Sequence, residues 1–411
     1  MRSRSYFHLP ALYLFLAALA YAQAGSQHVA LTLALGELNN GKILDAIGQL
    51  KQIVRTDPGF APPYFYLSRL YLEMGELPAA ESYLERALSA GPEQGGYYHQ
   101  LGLIRFRQKK WREALALFER ALRTGAENEA IVWRNAGDAS AELFDRERAL
   151  EAYENSLQIQ PNDARTRLAL GRFYLERNES EKAVVELRAA VALKQDLPGA
   201  WAGLGRAYRR LGDLTSTVDI LKKAVTLDPA DQESRYGLAQ ALLAMGREDE
   251  GRKELETHQR LMNQAALANR TFEAGRAKQE AQQLAEAERL LESAVALAPA
   301  YSPALYSLGT VLLDRGKPAE AARALERAAA SNAVNSAIHF RLGTAYFRSG
   351  KPGDALEATR RALVLDEENA GYHRQMGEIY MKLGRAAEGR EALDRALELE
   401  SRHGKEQEPR N

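Results

Sequence analysis

An apolar residue followed by a small one returns every 34 positions along nearly the whole chain. The series runs Leu67-Ser68, Leu101-Gly102, Ala136-Gly137, Leu170-Gly171 and Leu204-Gly205. It continues through Leu238-Ala239, Ala274-Gly275, Leu308-Gly309, Leu342-Gly343 and Met376-Gly377, with a weaker copy at Leu33-Ala34. One interval has 35 residues and one has 36. A second small residue follows twelve positions later, as at Ala80, Ala114, Ala183 and Ala321. A third, mostly alanine, comes seven further on, as at Ala87, Ala121, Ala190 and Ala328. Self-similarity of this period points to a stack of identical supersecondary units sharing one continuous core, each too small to bury its own apolar face.

Apolar residues recur at helical spacing on both sides of Gly41, Gly75, Gly212, Gly246, Gly316, Gly350 and Gly384, so each copy reads as two helices and a turn. Pro58, Pro92, Pro161, Pro229 and Pro299 close several copies. The small residues mark places where two helix backbones approach. A bulky residue at Gly205 or Gly343 is expected to overpack that approach, at about 1–3 kcal/mol.

Eleven copies are in phase, beginning at residues 27, 61, 95, 130, 164, 198, 232, 268, 302, 336 and 370. One contains Trp201, Leu204-Gly205, Tyr208, Leu221, Ala224 and Pro229, and another Trp133, Gly137, Ala149, Tyr153 and Pro161. This pattern resembles the tetratricopeptide repeat family. The resemblance implies an all-α, right-handed superhelical solenoid of about eleven helix–turn–helix repeats. It also implies that first helices line a concave groove that takes extended peptides or partner helices. In the family the second, fifth and ninth positions of each repeat face the groove, with the twelfth nearby. Carried over residue by residue, these give Phe65, Arg69, Arg134, Arg165, Leu168, Arg172, Arg206, Arg209, Tyr236, Phe272, Arg276, Tyr306, Phe340 and Phe347. Aromatics and arginines dominate interface hot spots. Acidic residues in the second, fifth and ninth positions are fewer, at Asp138, Glu233 and Glu378, so the expected ligand segment carries apolar and acidic side chains. The family's chaperone-tail clamp needs a Lys/Asn pair at the fifth and ninth positions of one repeat, which no repeat here has.

Departures from the pattern set the expected domain organisation. Two extra residues fall between Leu255 and Phe272, in a helical stretch without Gly or Pro before Gly275. A longer second helix there is expected to separate a block of about seven repeats, 25–267, from one of about four, 268–403. In the last helix Ala392, Leu393, Ala396 and Leu397 form an expected inner stripe under a charged outer face, as a terminal repeat needs. The polar tail, 404–411, is expected to be disordered.

The first 24 residues have the layout of an export leader. Arg2 and Arg4 precede an apolar run from Leu9 to Ala20, and Ala20-Tyr21-Ala22 and Ala22-Gln23-Ala24 both fit cleavage sites. The expectation is a cleaved signal peptide and a secreted or periplasmic protein with no stable membrane span. The alternative is an uncleaved anchor in the inner membrane, favoured by the absence of Asp, Glu, Lys and Arg between Arg4 and Glu37. Without the leader, Leu31, Leu35 and Leu38 would be exposed on the first repeat, a place for self-association or partner docking.

Zero cysteines remove disulfides and thiolate chemistry. Lys and Arg total 55 and Asp and Glu 55, so no net charge draws the chain to nucleic acid or anionic membranes. Gly203-Leu204-Gly205 lies inside a helical repeat, where a phosphate loop cannot form. His339 and His373 recur one repeat apart without further ligands and read as packing residues. The basic, aromatic run Arg105 to Arg112 spans a turn, where charges are usually solvated. Trp133 and Trp201 read as core anchors. Asn178-Glu179-Ser180 and Asn269-Arg270-Thr271 match glycosylation acceptors, relevant only in a eukaryotic secretory route. No nucleophile–base pair stands at a readable spacing. The expectation is a non-enzymatic scaffold that binds a protein or peptide, with no cofactor, metal or nucleic acid, serving assembly or maintenance of a bacterial envelope or secretion machine. The alternative is a non-catalytic or processing subunit of an exported enzyme complex.

Overall fold

A computed structural model describes residues 26–40 and 42–406, and side chains as far as residue 402. The expected leader, 1–24, and the tail beyond residue 406 lie outside the described residues. Every regular element among the described residues is an α-helix. The first repeat is α1 (26–39) with α2 (Ile43–Thr56). Five regular pairs follow: α3 (Ala61–Glu73) and α4 (Leu77–Ala90), α5 (Gly95–Arg107) and α6 (Trp111–Arg123), α7 (Glu129–Glu142) and α8 (Arg146–Ile159), α9 (Ala164–Glu176) and α10 (Ser180–Leu193), α11 (Pro198–Leu211) and α12 (Leu214–Leu227). Then come α13 (Gln232–Ala244), the long α14 (Glu248–Glu280) and α15 (Leu284–Leu297). The last pairs are α16 (Ser302–Asp314) and α17 (Pro318–Ser331), α18 (Ser336–Arg348) and α19 (Pro352–Leu365), α20 (Ala370–Lys382) and α21 (Ala386–Glu406). None of the described helices is long and apolar enough to cross a membrane.

Local sequence explains the boundaries. Asp145, Asp163, Asp213, Asp231, Asn335 and Asn369 stand just before helices and accept backbone N–H groups from the first turn. Gly75, Gly212, Gly246, Gly316, Gly350 and Gly384 adopt φ between 71° and 83° in the turn inside each repeat. Lys109, Phe144, Asn178 and Gln282 take the same turn position at φ 59–61° without the freedom of glycine. The small residues carry the expected close approach. A Cβ on Gly137 would stand 2.7 Å from the Tyr153 ring, and one on Gly343 would stand 2.5 Å from Thr359 Oγ1.

The expected longer second helix is instead a fusion. α14 runs from the second helix of one repeat into the first helix of the next with no intervening turn. Nothing between Arg252 and Ala274 is Gly or Pro, and Leu, Ala, Glu, Gln and Arg favour helix throughout. The chain forms two compact units, and their division falls inside α14, at Met262 and Asn263. One unit takes in residues 57–262. The other joins the described residues up to Thr56 to those from Asn263 onward.

Within the 57–262 unit, the second and later first helices pack in succession on one another, α3 on α5, α5 on α7, α7 on α9, α9 on α11 and α11 on α13. The second helices make no comparable row. A layer of first helices held closer together than the second helices curves inward, so it forms the inner face of this unit. In the other unit α16 packs on α18 and α18 on α20. There the first repeat joins through α2, which packs on α19. Ala46, Ile47 and Leu50 are fully buried, and Lys51 Nζ donates to the Val364 carbonyl at 2.7 Å. Leu31, Leu35 and Leu38 are half-buried, and the exposed apolar residues of α1 are Val29 and Leu33. In α21 the inner stripe is also shifted: Leu397 is exposed and Leu399 is buried. Leu399 continues the helical face of Ala392 and Ala396, whereas Leu397 is turned off it.

Candidate peptide-binding face

Four of the residues expected to face the groove meet in the 57–262 unit. Arg134, Arg165, Leu168 and Arg172 line one cavity of about 420 Å³ between α7 and α9. Half-buried Phe106 adds apolar wall over the buried Phe173, and Glu142 and Glu176 stand at its edge. The floor holds Asp138 and Tyr153, whose hydroxyl donates to Asp138 Oδ1 at 2.8 Å. Burial pushes the Asp138 carboxyl up, against the opposing pull of the Tyr153 hydrogen bond and of Arg134 and Arg172.

The arginines are not equivalent. Arg134 is paired with Asp163 at 3.3 Å, the same carboxylate that caps α9. Arg206 is paired with Glu233 at 3.2 Å, and Arg209 donates to Gln240 at 3.2 Å. Arg165 and Arg172 are exposed and form no salt bridge among the described residues. A guanidinium without a salt-bridge partner can take a ligand carboxylate bidentately.

At the N-terminal side of this cavity, Phe65 lies 5.3 Å from the Tyr97 ring and beneath Arg69 at 6.0 Å. His99 was not among the expected contacts, although it occupies the fifth position of its repeat. Its Nε2 lies 2.8 Å from Asn135 Nδ2, tying α5 to α7. Burial, reinforced by Arg134 and Arg69, lowers its pKa to about 4, so the ring is neutral at pH 7. At the other end Tyr236 is exposed and packs against His258 at 5.4 Å.

The remaining expected residues belong to the other unit, and they are divided between surface and core. Phe272 is only 6% exposed and lies in the core with Tyr301 at 5.2 Å, which leaves a ligand little of its ring. Arg276 covers it at 5.9 Å and is engaged by Glu273 and Glu280. Tyr306 and Phe347 are half-buried against the core, and Phe340 packs on Tyr372 at 4.8 Å.

Other sequence signals resolve into packing. His339 and His373 each place Nε2 against a carbonyl six residues earlier, Ala333 at 2.7 Å and Glu367 at 2.8 Å. Arg105, in the basic run, is held by Glu81 at 2.6 Å and Glu113 at 3.0 Å. Trp201 Nε1 donates to the Gln195 carbonyl at 2.8 Å. Trp133 is half-buried and lines a cavity of its own.

Models of the tetratricopeptide repeat match residues 37–102, 99–164, 141–207, 208–269, 272–333, 306–373 and 372–403. Superkiller complex protein 3 of Mus musculus is 26% identical over 216 residues, which are 51% of this chain and 14% of that protein. DnaJ homolog subfamily C member 3 of Homo sapiens is 26% identical over 202 residues, 46% of this chain and 40% of that protein. The chain thus spans less than half the length of these relatives. Among solved structures, PilW, a type IV pilus biogenesis factor, aligns at 17% identity and TM-score 0.48, covering 51% of this chain and 97% of PilW. YrrB, described as having an unusual peptide-binding site, aligns at 20% identity and TM-score 0.35, covering 45% and 95%. With repeat models matched from residue 37 to residue 403, and the helix pairs in the places they require, the chain belongs to the tetratricopeptide repeat family.

Proposed function

We propose that this chain is a protein-interaction scaffold whose inner face in the 57–262 unit binds an extended segment of a partner. The observation that carries this is the cavity between α7 and α9, where Arg165 and Arg172, which form no salt bridge among the described residues, flank an apolar wall of Leu168 and Phe106. An apolar ligand side chain enters between Leu168 and Phe106, and a neighbouring carboxylate meets the two guanidinium groups. Glu142 and Glu176 at the edge disfavour a ligand acidic throughout, so the preferred segment alternates the two characters. Selection from a random peptide display library tests this. Enriched peptides should carry Asp or Glu beside a large apolar residue. Arg165→Glu with Arg172→Glu should weaken them by about 2 kcal/mol and flatten the salt dependence. Arg86→Glu, on the exposed side of α4, should change little. Enrichment of basic peptides, or equal loss in both variants, would refute the reading.

The leader layout supports a finer reading, in which the scaffold works outside the cytoplasm in assembly or maintenance of an envelope or secretion machine. N-terminal sequencing of the mature protein is its test, with a start at Gln23 or Gly25 expected. Retention of Met1 in a membrane fraction would favour the anchored form.

A further inference from the structure

The eleventh position of a repeat carries tyrosine in five copies: Tyr71, Tyr174, Tyr208, Tyr346 and Tyr380. Three of these tyrosines meet the preceding second helix, whereas Tyr71 stacks on Tyr83 of its own repeat's second helix at 5.2 Å. Tyr346 donates to Glu326 on α17 at 2.7 Å, Arg360 on α19 donates to the Tyr380 hydroxyl at 3.4 Å, and Arg188 on α10 lies 5.5 Å from the Tyr208 ring. In the repeat that begins at residue 130 the same position is Ser140.

Ser140 leaves a hole. A cavity of about 460 Å³ opens between α6, α7 and α8, with Ser140, Leu115, Leu122, Trp133, Ala136 and Ala152 among its walls. Ser140 is 1% exposed, and its Oγ has no hydrogen-bond partner. A buried hydroxyl without a partner is costly, so it is an anchor waiting for one. Glu119 and Arg148 stand at the mouth, the residue types that meet the phenol oxygen in other repeats. An engineered cavity of roughly 150 Å³ already admits benzene, so a phenol ring fits here with room to enter.

The surroundings mark this as a surface that is used. Leu115, Glu119 and Arg148 also line an adjoining hollow of about 320 Å³ bordered by Leu143 and Asp145. Between those two residues stands Phe144, 88% exposed and at φ 60°, where the corresponding turn residue of most repeats is glycine. A large ring held in the left-handed region while fully presented to solvent is unfavourable on two counts, and such strain clusters at functional sites.

We infer that this cavity is a second binding site, distinct from the inner face, and that it receives a tyrosine side chain presented by a partner polypeptide. The phenol occupies the place that the chain's own Tyr208, Tyr346 and Tyr380 fill in three other repeats, with Phe144 packing beside the incoming segment. The full chain should broaden the fluorine NMR line of 4-fluorophenol, and N-acetyl-tyrosinamide should reverse this better than N-acetyl-phenylalaninamide. Ser140→Tyr should fill the cavity from within, raise the unfolding temperature and reduce probe binding by about tenfold or more, a loss of about 1.4 kcal/mol. Ala152→Leu, on the α8 wall, provides the same block should Ser140→Tyr fail to fold. Line broadening that survives these blocks, equal competition by the two amides, or no broadening by the unmodified chain would overturn the proposal.

Discussion

His99 shows how a single residue ties folding to the inner face. Burial and the two neighbouring arginines place its folded pKa at about 4, below the ordinary histidine value of 6.5. The unfolded chain therefore binds the proton more readily, and the contribution to stability is complete above pH 6.5 and is lost as pH falls toward 4. The loss is at most about 3 kcal/mol. His99→Gln keeps a partner for Asn135 and should flatten urea stability between pH 6.5 and 4; an unchanged slope would show that His99 does not govern it. Phe144 offers a second residue-scale prediction. Phe144→Gly removes a non-glycine residue from the left-handed region and sacrifices no buried surface, so it should stabilise the chain by about 1 kcal/mol, read from the urea midpoint. The second, fifth and ninth positions singled out Arg165, Leu168 and Arg172, and the structure brings these three together around one cavity. Which arginines are free was not legible, because Arg134 is neutralised by Asp163 across 29 residues. Local spacing carries no record of such a pairing.

At the scale of elements, the period of small residues encoded the helix pairs and their contacts directly. Gly137→Val should cost about 1–3 kcal/mol by overpacking Tyr153. It should also disturb the Asp138–Tyr153 bond beneath the cavity, so peptide affinity should fall with stability; intact affinity would separate the helix contact from the site. The contact of α15 with the turn between α16 and α17 gives another test. Glu288, on α15, is 5% exposed and accepts from Lys317 at 2.7 Å and from Arg315. Burial alone would raise its pKa, but the two cations outweigh it and hold the carboxyl below its usual range. Its contribution is therefore present above the unfolded glutamate pKa and lost as pH falls through the lowered folded value. Glu288→Gln should cost about 1–3 kcal/mol at pH 7, with a smaller penalty in acid. A pH-independent penalty would contradict the ion-pair account. The fusion in α14 was only half legible. The lack of Gly and Pro announced a long helix, but whether its exposed middle would break into a turn depends on packing at both ends.

For the whole molecule, each compact unit has its own core, and between them α14 runs through a stretch, 259–267, in which nearly every residue is exposed. Little buried apolar surface holds that stretch, so it should open locally before either core does. Limited trypsin digestion is expected to cut first at Arg260, and calorimetry to show two transitions or a shoulder. First cuts inside α5 to α11, with one sharp transition, would contradict this. The sequence period could not have assigned α2 to its neighbours, because its buried face meets α19 some three hundred residues away in the chain. The central claim, that the inner face of the 57–262 unit holds a partner, is tested most directly by photocrosslinking in the native cell. Benzoylphenylalanine at Leu168 should capture one protein through a segment that joins acidic and apolar residues, and Arg165→Glu with Arg172→Glu should abolish the capture. Capture equal to that from position 86, or undiminished by the double substitution, would show that this face is not where the chain binds.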